Sequence, residues 1–278
     1  MKRNILSLFC TASLAIAASS ACNDNTVRHA TSNIDNTDEN LCTDMPTKLP
    51  IAPEHYTTDN ACKATLKQWK AGSEVSLEAV KAYGIDFCFS SYAINDTLFN
   101  RIYGKSFKAD CTLPRNDLRY LHLLHHTANG KIMLGEMICH KDIATDLLDI
   151  FRRLYEANYP IERIRLIDEY AADDIRSMNH NNTTCFNFRH IAGSRKLSNH
   201  SLGKAVDLNP LYNPYVKRRT DGTVIVSPES GRKYADRTKK FSYKIDRGDL
   251  AYLLFKQHGF RWGGDYRTLK DYQHFEKQ

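Results

Sequence analysis

Leu118-Arg-Tyr-Leu-His-Leu-Leu-His-His126, then Thr127-Ala-Asn-Gly130, then Lys131-Ile-Met-Leu-Gly-Glu-Met-Ile-Cys-His140: this stretch of the 278-residue chain decides its fold. The first segment alternates as a strand does, and the last reads as a second strand. Asn129-Gly130 lies between them, a strong short-range signal for a hairpin. Residues 141–157 follow at once, with Ile143, Leu147, Leu148, Phe151, Leu154 and Tyr155 spaced to give one apolar helical face. That face should pack on the hairpin, and Pro160 lies beyond the helix end. A hairpin covered by a helix predicts an α+β domain, a small mainly antiparallel sheet flanked by helices.

Away from this centre the signals are local. Downstream, residues 163–168 form a short strand candidate, and residues 249–258 a helix closed by Gly259. Upstream, Ser76 can cap a short helix that ends at Gly84, and residues 96–103 can form another with Gly104 after its end. Residues 217–240 are rich in Lys and Arg, and two readings stay open for them: a solvated loop, or a border to a cleft that attracts acidic peptides. Residues 23–48 are rich in Asn, Asp, Thr and Ser and poor in large apolar groups, the composition of a flexible tether.

The N-terminus reads as a targeting segment. Lys2 and Arg3 precede an apolar stretch over residues 5–18, which runs into Ser19-Ser20-Ala21-Cys22. A small-residue run ending in Cys fits a bacterial lipoprotein box, with Cys22 lipidated as the first mature residue and a membrane anchor as the consequence. Ser19 stands where such boxes usually carry Leu, and simple secretion is the other reading. Either way the chain is expected in the envelope, periplasmic or membrane-anchored. Removing Lys2 and Arg3 takes the net charge from +7 to +5. No stripe of Arg and Lys with interleaved aromatics suggests nucleic acid. No apolar run beyond the N-terminus approaches the ~20 residues of a membrane span.

Eight cysteines occur, at 10, 22, 42, 62, 88, 111, 139 and 185. Cys10 leaves with the signal, and six remain if Cys22 is lipidated. No CxxC pair exists, so a cysteine zinc site is not indicated. Disulfides, with Cys88–Cys111 the favoured pair, and free buried thiols are both open.

Chemistry concentrates in two places. In Ser198-Asn-His200-Ser-Leu-Gly203-Lys-Ala-Val-Asp207-Leu-Asn-Pro, residues 205–208 read as a strand with Val206 and Leu208 toward the core and Asp207 on the other side. Gly203 permits a bend that brings the His200 imidazole and the Asp207 carboxylate to one point. The chain then closes with Trp262-Gly-Gly and Asp271-Tyr-Gln-His274, where the spacing of three places Asp271 and His274 on one side of a tight turn. Two His and one carboxylate are a normal ligand set for one catalytic zinc. Such a site needs a second carboxylate for proton transfer, a role that fits Asp271. A cation is useful where the oxyanion develops, and Arg189 is the candidate. Ser198 and Trp262 are candidates for substrate contact, Trp262 as an aromatic wall. The histidines at 125, 126 and 140 are left as structural.

The SxHxxGxAxD string from Ser198 to Asp207, followed by DxxH from Asp271 to His274, resembles the zinc D,D-carboxypeptidases of the VanY type. It also resembles the phage endolysins that cut L-alanyl-D-glutamate bonds. The resemblance extends to Asn182-Thr-Thr-Cys-Phe-Asn-Phe-Arg189, Asn209-Pro-Leu-Tyr-Asn-Pro214 and Trp262-Gly-Gly, covering roughly residues 85–278. It implies a Hedgehog/DD-peptidase-like zinc peptidase fold with the metal on a central antiparallel sheet. Carried over, the zinc ligands fall on His200, Asp207 and His274, the general base on Asp271, and the carbonyl-polarising arginine on Arg189, with Arg195 a nearby competitor. The substrate implied is the peptide stem of peptidoglycan, cut in the manner of a D-Ala-D-Ala carboxypeptidase or, alternatively, of an L-Ala-D-Glu endopeptidase. A noncatalytic envelope protein that binds peptidoglycan or metal is the reading from another class. The expected organisation is a signal over residues 1–21, a tether over 23–48, an N-terminal extension over 49–84 and a zinc peptidase domain over 85–278.

Overall fold

In the computed structural model, which describes residues 54–278 apart from Ala192 and side chains from Ala61 onward, the chain opens with helix α1 (Glu54–Gln68), strand β1 (Glu74–Val75) and helix α2 (Leu77–Tyr83). Ser76 caps α2 by accepting from the Ala79 amide, and Gly84 ends it at φ +97°, as the sequence predicts. The segments read as signal (1–21) and tether (23–48), with Cys22 and Cys42, lie outside the described residues. Strand β2 (Ser90–Ala93) and helix α3 (Asp96–Ile102), capped by the Asn95 side chain, lead toward the hairpin.

Strands β3 (Leu118–His126) and β4 (Ile132–His140) pair along their whole length, from Leu118 opposite His140 to His126 opposite Ile132. The connection is longer than an Asn-Gly dipeptide. The Thr127 carbonyl accepts from the Gly130 amide, and the Thr127 amide donates to the Lys131 carbonyl. Gly130 takes φ +79°, which a glycine adopts without strain. Helix α4 (Lys141–Glu156) follows immediately, capped by His140. Its Ile143, Leu147, Ile150, Phe151, Leu154 and Tyr155 are buried, and Leu148 packs half-buried against the same core. Each such side chain contributes about 1.5–3 kcal/mol on burial, so this face fastens α4 to the sheet. The sheet is antiparallel with strand order β1-β4-β3-β2.

The remaining chain builds small pieces instead of one central sheet. Strands β5 (Arg163–Ile164), β6 (Asn182–Thr183) and β7 (Ala205–Asp207) come first, with helix α5 (Asp174–Asn179) between β5 and β6. Strands β8 (Tyr215–Arg218) and β9 (Val224–Ser227), helix α6 (Leu250–Gln257) and strands β10 (Arg261–Trp262), β11 (Lys270–Asp271) and β12 (His274–Glu276) complete the order. β5 and β6 pair in parallel, while β10-β12-β7 and β11-β8-β9 form two antiparallel sheets. The architecture is α+β with small, mainly antiparallel sheets.

Three expectations change. The strand foreseen over 163–168 has two residues, because Ile167–Tyr170 turns into a 3₁₀ helix whose Asp168 carboxylate is tied to the Ser106 amide and hydroxyl. Part of the basic segment 217–240 is the β8–β9 hairpin, fastened to β11. The Cys88–Cys111 disulfide does not form: Cys62, Cys88, Cys111, Cys139 and Cys185 are all free thiols. Cys88 is buried in the main core, whereas Cys111 packs at the edge of a second cluster around Ile102, Leu118 and Phe186.

Leu66, Trp69, Val75, Ala79 and Val80 belong to the same core as the hairpin and α4. Residues before 85 therefore supply part of that core and one sheet edge. No helix among the described residues is long and apolar enough to cross a membrane.

Candidate metal centre

The site sits on the β10-β12-β7 sheet. Its register sets His274 directly opposite Asp207 and Phe275 opposite Val206. Side chains alternate along each strand. Phe275 and Val206 are fully buried on the core side, so His274 and Asp207 emerge together on the other. His200 arrives from the 3₁₀ turn Asn199–Leu202, which ends at Gly203 in the left-handed region with φ +62°. The Gly203 carbonyl accepts from the His140 amide at 2.8 Å, and a Cβ here would lie 2.7 Å from that nitrogen. The end of the large hairpin thus braces the turn that carries His200, and only glycine fits the brace.

His200 Nδ1 donates to the Cys185 carbonyl at 2.6 Å, which leaves the lone pair on Nε2. That atom lies 3.3 Å from Asp207 Oδ2 and 3.3 Å from His274 Nδ1, and His274 Nδ1 lies 3.0 Å from Asp207 Oδ1. One ligand atom from each residue falls within 4.8 Å of the others. Metal–nitrogen bonds of about 2.0–2.1 Å at tetrahedral angles set ligand nitrogens about 3.3 Å apart. The donor set and its spacing therefore fit zinc. Burial raises the Asp207 carboxyl, but the adjacent His200 and His274 outweigh it and hold the group well below the usual carboxylate range. Burial also lowers His274, and its bonds to Asp207 and Glu276 overturn that, raising it to about 10.

Asp271 stands beside this set without joining it. Burial lifts its carboxyl to about 6, with His274 opposing and the Asp207 charge adding. Its Oδ1 is buried and has no hydrogen-bond partner. A free carboxylate oxygen of near-neutral pKa is suited to accept a proton. Gly263 makes the approach possible: a Cβ there would lie 2.6 Å from the Asp271 carbonyl oxygen, 2.8 Å from its Cβ and 3.2 Å from the His274 Cβ.

The other sequence candidates take different positions. Arg189 is ion-paired with Asp174 through its Nε, and Arg195 is exposed. Ser198 is buried, and its hydroxyl accepts from the His200 amide at 3.3 Å. It therefore shapes the turn under His200. Trp262 is 4% exposed, pairs with Phe275 across the strands and donates from Nε1 to the Tyr272 carbonyl. It is part of the core, where it cannot form an exposed wall. Two contributors were not foreseen. The Cys185 carbonyl fixes the His200 tautomer. Glu276 accepts from His274 Nε2 at 3.4 Å and from Arg261 at 2.6 Å, and bonds Asn199 next to His200. The alternation His274-Phe-Glu276 was the available signal for Glu276.

No curated protein and no solved structure matches the chain. Residues 192–277 match a family model described as D-alanyl-D-alanine carboxypeptidase. His200, Asp207, Asp271 and His274 all lie inside the matched segment, so the match supports the resemblance carried by the paired motifs.

Proposed function

We propose that the protein hydrolyses a peptide bond in peptidoglycan stem peptides, in the manner of a D-Ala-D-Ala carboxypeptidase. The observation that carries this reading is the convergence of His200, Asp207 and His274 beside the unpartnered Asp271 Oδ1, within the segment that matches the family. His200, Asp207 and His274 would hold one zinc, which when bound supplies a Lewis acid and a water of lowered pKa. Asp271 Oδ1 accepts the proton that the attacking water sheds and returns it to the leaving amine. Arg189 would serve the developing oxyanion by exchanging Asp174 for substrate. Arg195 is its competitor. In this reading the fold is the Hedgehog/DD-peptidase-like type and residues 85–278 carry the catalytic domain. Leu66, Trp69, Val75, Ala79 and Val80 complete the core of that domain, and export with lipidation at Cys22 would bring the enzyme to the wall.

Digestion of muropeptides followed by mass spectrometry tests the reading. Wild-type protein loaded with zinc should release D-Ala, and release of a stem fragment cut at L-Ala-D-Glu would move the assignment to the endopeptidase. Asp271→Asn should retain zinc and lose about 10²–10⁴-fold in turnover. The reading fails if His200→Ala binds zinc and cleaves muropeptides like wild type.

A further inference from the structure

The strand that holds the candidate base continues into a row of cations. Asp271 pairs with Tyr215 and Lys270 with Val216. Residues directly opposite in an antiparallel pair project to the same side, so Asp271 and Tyr215 share a face. Side chains alternate along a strand, so Lys217 shares that face and Arg218 takes the other. The Arg219 amide donates to the Thr223 carbonyl, which carries the hairpin pairing one residue further and keeps Arg219 on the face of Lys217. At roughly 3.3 Å per residue, Lys217 and Arg219 stand ~7 and ~13 Å beyond Tyr215.

Beyond Asp271, no acid lies across the strands from Lys217 or Arg219 on this face among the described residues. The positions across from Tyr215 and Lys217 on β9 are Ser227 and Ile225, and Thr223 lies across from Arg219. The acid at the hairpin tip, Asp221, accepts from the Thr223 amide. Lys217 and Arg219 are exposed, and neither has an ion-pair partner among the described residues. Elsewhere arginines such as Arg101, Arg115, Arg152, Arg165 and Arg261 are paired with carboxylates.

We propose that Lys217 and Arg219 form a cationic track that binds carboxylates of the peptide substrate to one side of the scissile bond. The inference rests on the peptidase reading of Asp271 and names the substrate class: an acidic peptide, with carboxylates about two and four extended residues from the base. A peptide whose side-chain carboxylates are free is preferred over the same peptide with those groups amidated. The pairing of β8 with β11 sets the spacing between base and cations, and exposure makes the attraction sensitive to salt.

The test compares zinc-loaded wild type, the double variant Lys217→Ala/Arg219→Ala and Arg218→Ala on a stem peptide with free carboxylates and on its amidated form. The double variant should lose about tenfold in kcat/KM on the free-carboxylate peptide, mostly through KM, at low salt. It should change little on the amidated peptide and show a flatter salt dependence, and Arg218→Ala should stay within about twofold on both. The proposal is overturned if the double variant keeps the wild-type preference between the peptides, or if Arg218→Ala loses as much. If wild type cleaves neither peptide, the peptidase reading fails by itself. Fluorescence anisotropy of the labelled acidic peptide then decides the track: weaker binding by the double variant supports it, and equal binding overturns it.

Discussion

Glu276 lies where the two ligand-bearing segments meet. It bonds Asn199, the neighbour of His200, and accepts from His274 Nε2, so one carboxylate ties the turn to strand β12. Arg261 holds it in place. Outer partners of this kind fix which ring nitrogen offers its lone pair to a metal. Glu276→Ala should therefore weaken zinc affinity about 10–100-fold, read by competition against a chromophoric chelator. Glu276→Gln keeps an acceptor oxygen and should recover most of the loss. Unchanged affinity in Glu276→Ala would remove this role. Gly263→Ala tests the neighbouring contact. Its new Cβ meets Asp271 backbone and side chain below 3.0 Å, so the base must shift, and turnover should fall while bound zinc persists. The grouping of His200, Asp207 and His274 was legible in the two motifs, and His274 mainly through the resemblance that pairs it with Asp271. Glu276 was not, because Asn199 and Arg261 reach it from distant parts of the chain. Ser198 and Trp262 were legible as unusual residues, but their direction was not. The cap at His200 turned Ser198 inward, and the pairing of Trp262 with Phe275 put the indole in the core.

Among the elements, those with a local code were readable. The hairpin, α4 and the cap at Ser76 follow from alternation, helical spacing and a side-chain acceptor. The two-residue strands β6, β10 and β11 carry no period and exist through their partners, so no local signal marks them. Helix α6 shows how much a cap can bear. Asp249 accepts from the Ala251 and Tyr252 amides and from the Tyr159 hydroxyl, and burial pushes its carboxyl up to about 6. A raised carboxyl binds its proton more tightly in the folded chain. Its stabilising contribution is complete below the ordinary value of 3.8 and is lost as pH rises through about 6. Asp249→Asn keeps a capping acceptor but cannot titrate. Its thermal midpoint relative to wild type should therefore be more favourable at pH 7 than at pH 4.5. A difference independent of pH would contradict the burial argument. Asp249→Ala removes the cap and should cost about 1 kcal/mol in urea unfolding.

At the scale of the whole molecule, the question is how far the segment before residue 85 is an appendage. Residues 23–84 match no family motif, and composition alone cannot show where their apolar side chains go. In the fold, Leu66 is fully buried, Trp69 donates from Nε1 to the Gly135 carbonyl, and β1 covers the outer edge of β4. Trp69 also stacks on His122 with ring centroids 4.1 Å apart. Several side chains of this kind at about 1.5–3 kcal/mol each amount to a large share of the about 5–15 kcal/mol that holds a typical domain together. Losing them would also bare the edge of β4, which invites pairing between copies. A chain beginning at residue 85 should therefore unfold at a much lower temperature than the full chain, or aggregate on expression, even though every ligand of the candidate metal centre is retained. A chain beginning at residue 54 should unfold well above the one beginning at residue 85. Calorimetry on both decides it: equal midpoints for the two truncated chains would mean that residues 54–84 lie on the domain without supporting it.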